Sequence, residues 1–247
     1  MKRSTWTVSL VLSLLAIALV FYLINYMIFR DVPFMLRLLT LQLGFTPISV
    51  ILITLVLNQL LVRREKRTRL EKLNMVIGAF FSEVGTILLK SFSDFNPERQ
   101  SVSKELIITA DWANDQFAIA SEHFRNYNYK IEIQKDRLEE LRNLLTEKRG
   151  FLLRLLENPN LLEHESFTNL LWAITHIAEE LAHRTNLRNL PDTDYAHLAN
   201  DIKRGYGLLV SQWITYMQHL KNKYPYLFSL AIRTNPLDPN ATPEVRQ

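Results

Sequence analysis

One octapeptide in this chain combines side chains able to ligate a metal ion or move a proton: His176-Ile177-Ala178-Glu179-Glu180-Leu181-Ala182-His183. On a helix His176, Glu179, Glu180 and His183 share one face. Glu180 with His183 also has the i, i+3 spacing that carboxylate-bridged dimetal bundles use. Two imidazoles with two carboxylates suit iron, manganese or zinc. Such bundles draw ligands from other helices too, and the nearest second pair, Asp194 with His197, falls at a helix start rather than in a core. One helix cannot close a site. The simpler expectation is therefore no cofactor, with a solvated or locally paired polar face opposite the Ile174 stripe; Trp172 on the same side points to partial cover. The metal-binding alternative is a helical-bundle sensor or oxidoreductase built on this face.

The remaining chemistry is excluded quickly. His164-Glu165 lacks the second histidine of a zinc-protease helix, and there is no Gly-rich phosphate loop, nucleophile elbow or nucleotide fingerprint. Cysteine is absent, which removes disulfides, thiolate metal sites and thiol nucleophiles together. His176 in a helix behind two apolar spans brings a histidine kinase to mind, but no ATP-binding α/β pattern follows it. No catalytic residue is therefore assigned.

The elements that must position the octapeptide begin with two apolar runs. Residues 6–29 contain no Asp, Glu, Lys, Arg or His and would extend about 36 Å as a helix, enough to cross a hydrocarbon core with some tilt. A second such run covers residues 38–62. The link between them, from Arg30 to Arg37, is too short for anything but an antiparallel hairpin. Lys2 and Arg3 precede the first run, and Arg63, Arg64, Lys66, Arg67, Arg69 and Lys72 follow the second. The positive-inside rule then places both termini in the cytoplasm. Neither run carries an ionisable group at mid-depth, which counts against a transporter or proton pump. Pro47 is expected to kink the second helix, with Gly44 and Thr46 easing the lost backbone bond.

Residues 63–72 hold six basic and two acidic side chains, whereas 73–247 hold 19 basic and 22 acidic, a net of −3. The high pI is thus a property of one decapeptide, and nucleic acid is not an expected partner. The bilayer is: the six basic side chains form a membrane-surface segment leading into an amphipathic helix over 63–93, whose apolar face is Leu70, Leu73, Ile77, Phe80, Phe81, Val84, Ile87 and Leu88.

Beyond Asp94-Phe95-Asn96-Pro97, apolar residues alternate steps of four and three from Leu106 to Leu155. This heptad register predicts one long helix over 101–157, with a break at Asn126-Tyr127-Asn128-Tyr129 as the alternative. Leu138, Leu141, Leu145 and Leu152 are its most leucine-rich part and the expected self-association seam. Helices with stripes Phe167 to Leu181 and Tyr195 to Leu220 follow, then a short apolar helix after Pro225 and a Pro-rich, disordered tail over 234–247. No alternating strand pattern occurs. The expected architecture is all-α: a transmembrane helical hairpin (1–62), then a cytoplasmic antiparallel helical bundle (94–233).

Leu73-Asn74-Met75-Val76-Ile77-Gly78-Ala79-Phe80-Phe81-Ser82-Glu83-Val84-Gly85 and Tyr224-Pro225-Tyr226-Leu227-Phe228-Ser229-Leu230-Ala231-Ile232-Arg233-Thr234-Asn235-Pro236 resemble segments of a group of bacterial two-span inner-membrane proteins with no known activity. The resemblance implies a bacterial inner-membrane setting and transfers no functional residue. The functional expectation is a membrane-anchored, non-enzymatic interaction or regulatory module. It would form homo-oligomers and bind a further cytoplasmic or membrane protein.

Overall fold

A computed structural model describes residues 2–159, 161 and 164–245, with the side chains of 2–8 and 10 left out; the expected helix start at Glu163 lies outside them. The described residues form helices and connecting turns, with no strand. The chain divides into two compact units, Met1–Glu65 and Lys66–Gln247.

The first unit holds α1 (Lys2–Phe29) and the beginning of α2 (Val32–Phe80). The turn between them is shorter than the sequence suggests. Arg30 takes a left-handed φ of 51° and donates its N–H to Tyr26 O at 3.0 Å, which terminates α1. Asp31 Oδ1 then accepts from Phe34 N at 3.1 Å and caps α2. Tyr22 Oη donates to Gln42 Oε1 at 3.2 Å, joining the two helices. α2 continues through Pro47, where the Thr46 hydroxyl donates to Gln42 O at 2.6 Å. Apolar side chains along this unit face outward; Met27 and Phe45 are 75% and 68% exposed.

In the second unit, the basic stretch that begins at Lys66 gives way to core after Lys72. The side chains of Lys66, Arg67, Arg69 and Lys72 are exposed, whereas Leu73, Ile77, Phe80, Phe81, Val84 and Leu88 are buried. The amphipathic helix expected over 63–93 is therefore a core helix from Leu73 onward, and only Leu70 and Ile87 of its apolar face stay exposed. A π-helical turn at Phe81–Gly85 separates α2 from α3 (Thr86–Ser93). Both Thr86 N and Thr86 Oγ1 donate to Phe81 O. Gly85 makes the turn possible, because a Cβ there would lie 2.6 Å from Phe80 Cε1 and 2.7 Å from Phe81 Cδ1.

The long heptad helix does not form. The span expected for it is divided among α4 (Arg99–Glu105), α5 (Asn114–Arg125) and α6 (Lys135–Leu156), with irregular chain at 106–113 and 126–134. The second break is stabilised by a long-range bond, Glu132 N donating to Phe95 O at 2.9 Å, and by a local one, Tyr129 Oη donating to Phe124 O at 2.9 Å. Leu138, Leu141, Leu145 and Leu152 are all buried in the core of a single chain, so they present no open seam for self-association. The Pro-rich tail is tied to the rest of the unit at least as far as Thr242. Asn235 Nδ2 donates to Leu106 O at 3.0 Å, Leu237 is buried, and Thr242 N donates to Arg233 O.

α7 (Glu165–His183) buries the stripe read from its sequence: Phe167, Leu170, Leu171, Ile174, Ile177 and Leu181. α8 (Asp192–Lys223) is the central helix, contacting α3, α5, α7 and α9 (Pro225–Arg233). It buries Val210, Ile214 and Met217 as well as the expected Leu198, Ile202, Tyr206, Leu209, Trp213 and Leu220. A helix packed on several sides is apolar most of the way round. Gly205 sets its approach to α7, since a Cβ at that position would stand 3.0 Å from Ile177 Cδ1 and 3.3 Å from Phe92 Cε2.

Candidate metal centre

His176 and Glu180 stand one turn apart on α7; His197 and Asp201 stand one turn apart on α8. The two i, i+4 pairs meet because both flank the close approach at Gly205 and Ile177. The turn at 184–191 helps to hold them in register. Arg184 closes it, donating from Nε and NH2 to the Asp194 carboxylate at 2.8 and 2.6 Å and from NH1 to Glu180 Oε2 at 2.6 Å.

His176 Nε2 lies 3.3 Å from Asp201 Oδ2 and 3.9 Å from Glu180 Oε1. His197 Nε2 lies 3.3 Å from the same Asp201 Oδ2 and 3.6 Å from Glu180 Oε2. Ligand atoms of His176, Glu180 and His197 all fall within 4.8 Å of one another. Ligands bound tetrahedrally at about 2.0–2.2 Å are separated from each other by roughly 3.4 Å. The spacings found here bracket that value.

Asp201 supplies the strongest signal. Only 7% of the residue is exposed, and Oδ2 is buried without a hydrogen-bond partner, although two imidazole nitrogens are near it. A buried carboxylate oxygen that makes no aligned hydrogen bond carries a desolvation penalty, which a cation bound between it and the two imidazoles would offset. The other oxygen is held: Arg204 NH2 donates to Oδ1 at 3.0 Å. Each carboxylate is thus bonded by an arginine while facing the histidines, Asp201 through its other oxygen and Glu180 through both, the outer arrangement that orients metal ligands. The bond from Arg184, ahead of all other causes, holds the Glu180 carboxyl below its usual range and so keeps it ionised.

Of the four residues read from the octapeptide, His176 and Glu180 enter this cluster and Glu179 and His183 do not. Both of the latter are exposed, and the His183 ring donates from Nδ1 to Glu179 O at 2.7 Å, bonding back onto its own helix. His197, noted in the sequence only as half of a pair with Asp194, belongs here, and Asp194 serves Arg184 instead. Asp201 was missed. The signal that could have found it is the repetition of His-x-x-x-Glu and His-x-x-x-Asp on consecutive helices.

The comparisons fall on both halves of the chain. The N-terminal helical domain of the family described as MJ1433 matches residues 2–61, and the C-terminal helical domain of uncharacterized protein MJ1433 matches residues 69–233. The chain belongs to the MJ1433 family. The uncharacterized protein MJ1433 of Methanocaldococcus jannaschii is 43% identical over 238 residues, covering 96% of each chain. No solved structure matches. The family's two domains meet between 61 and 69, within the basic decapeptide, and all four cluster residues belong to the C-terminal one.

Proposed function

We propose that this member of the MJ1433 family is a membrane-anchored helical protein whose second unit binds one divalent transition-metal ion through His176, Glu180, His197 and Asp201. The observation that carries the reading is the buried Asp201 Oδ2, which makes no aligned hydrogen bond and lies at ion-pairing distance, 3.3 Å, from two imidazole nitrogens. The nitrogen and oxygen donor set fits zinc, iron or manganese. In that role the imidazoles and carboxylates bind the ion, and Arg184 and Arg204 hold the carboxylates in position. Metal occupancy, rather than pairing through the leucine seam, then becomes the basis of any sensing or regulatory role.

Anchoring is supported by the two helices long and apolar enough to cross a membrane and by the basic side chains at 63–72, which would lie at the cytoplasmic surface with both termini inside. Because the relative is archaeal, we take the membrane to be a prokaryotic cytoplasmic membrane rather than specifically a bacterial inner membrane.

Elemental analysis of the full chain, purified in detergent and dialysed against trace zinc, tests the proposal. One equivalent of metal is expected, falling below a tenth in His197→Ala and Asp201→Asn and unchanged in His183→Ala. Thermal stability should rise on loading by about 2.7 kcal/mol at a hundredfold excess over Kd. Absence of metal from the folded wild type, or stoichiometric metal that survives both ligand substitutions, refutes it.

A further inference from the structure

The wall of the metal cluster is also the wall of a cleft. α7, α8 and the end of α5 border an open cleft of about 680 Å³, lined among others by Arg125, Asn169, Trp172, His176, Lys203 and Arg204. Two of these residues belong to both places: His176 is a ligand candidate, and Arg204 is the arginine bonded to Asp201 Oδ1. The lining contains no Asp or Glu. It does contain three permanent cations, and Arg125 is exposed with no hydrogen bond or ion pair from its guanidinium among the described residues. Lys203 is steadied by Asn128, whose Oδ1 accepts from Nζ at 2.5 Å. Trp172, on the helix that carries His176, is 59% exposed and lines the cleft, so its indole is accessible there.

We infer that this cleft binds an organic anion of nucleotide size, with its charge among Arg125, Lys203 and Arg204 and a flat ring on Trp172, beside the bound metal ion. The inference rests on the metal reading for the coupling between the two sites and on the cleft alone for the anion. The volume is that of a small-molecule site. Guanidinium groups match phosphate and carboxylate geometry, and an exposed indole offers a stacking face. A divalent cation next to the cleft adds attraction for an anion, and linkage makes the effect reciprocal: the anion tightens metal binding by the same factor. A macromolecular polyanion is disfavoured by the net charge of −3 carried by residues 73–247.

The test is calorimetric titration of adenosine 5′-monophosphate into the full chain in non-ionic detergent, first loaded with zinc and freed of excess, then stripped with chelator. Inorganic phosphate serves as the ringless control. Binding of one equivalent is expected, at least tenfold tighter with zinc than without. Arg125→Gln should weaken it at least tenfold at unchanged zinc content. Trp172→Ala should weaken the nucleotide but not inorganic phosphate. Both substitutions are at exposed side chains, so the fold survives them. Zinc-loaded protein that fails to bind the nucleotide, or binds it equally well in both variants, overturns the cleft while leaving the metal centre standing. Nucleotide binding that depends on Arg125 and Trp172 in a protein unable to hold zinc overturns the coupling and the metal reading, and leaves the anion site.

Discussion

Replacing Leu141 by Ala separates two accounts of the leucine register. Leu141 is fully buried and belongs to one continuous core with Leu138, Leu145 and the α7 stripe. Deleting three carbons from such a position removes transfer free energy and leaves a cavity, together about 3–5 kcal/mol. Leu145→Ala, at 1% exposure, should cost about the same, and the pair roughly 6–8 kcal/mol once neighbouring cavities are allowed to merge. A domain has only about 5–15 kcal/mol in total, so the double variant should be largely unfolded at ambient temperature. For a unit of this size each kcal/mol lowers Tm by about 2–4 °C, so Leu141→Ala alone predicts a fall of roughly 6–20 °C. Leu153 on the same helix is 37% exposed, and Leu153→Ala should shift Tm far less. The assay is thermal unfolding by circular dichroism on the full chain in detergent, with sedimentation of each variant below its midpoint. The expected result is a lower Tm with no change in association state. A variant that loses an oligomer while keeping its Tm would show that the leucines form an intermolecular seam, and the reasoning from single-chain burial would fail.

Three further outcomes follow from particular residues. Gly85→Ala should destabilise by about 1–3 kcal/mol, because the added methyl meets two buried rings at 2.6 and 2.7 Å that cannot yield; chemical denaturation reads it, and an unchanged midpoint would refute the packing argument. His164 caps α7 by accepting from Phe167 N, and burial holds its pKa below the ordinary value of about 6.5. The unfolded chain therefore takes up the proton first: this contribution to stability is complete above about pH 6.5 and is lost as pH falls towards the lowered folded value. His164→Asn keeps an acceptor and should flatten that slope in denaturation curves measured between pH 7.5 and 5; an unaltered slope would dismiss the residue. For topology, a reporter active only in the cytoplasm should work after Gln247 and fail when inserted at Asp31, and the reverse pattern would overturn the assignment.

The sequence alone determined what depends on neighbours within a turn or two. The apolar spans follow from uninterrupted apolar length, and the all-helical class and the α7 stripe from periodicity, because burying one face requires residues of one kind at steps of three and four. The same logic misread the register from Leu106 to Leu155. Heptad spacing reports only that successive residues share a face, and two separate helices, α5 and α6, packed on one core with irregular chain before and between them satisfy it as well as one long helix. The breaks were decided by partners distant in the chain, Phe95 O for Glu132 and Asn235 for Leu106, which no local pattern announces.

The candidate centre divides in the same way. His176 and Glu180 were legible because one helix face carries both. His183 looked equivalent on that face, but it stands at the last turn of α7, where its ring reaches a carbonyl of its own helix. The partners His197 and Asp201 lie on a second helix, and their register against the first is set by where α8 approaches α7, at Gly205 against Ile177. Helix propensity and amphipathicity fix what each helix presents. Only the close packing of two helices fixes which donors face each other, and a shift of one residue along α8 would rotate His197 and Asp201 away from the pair on α7.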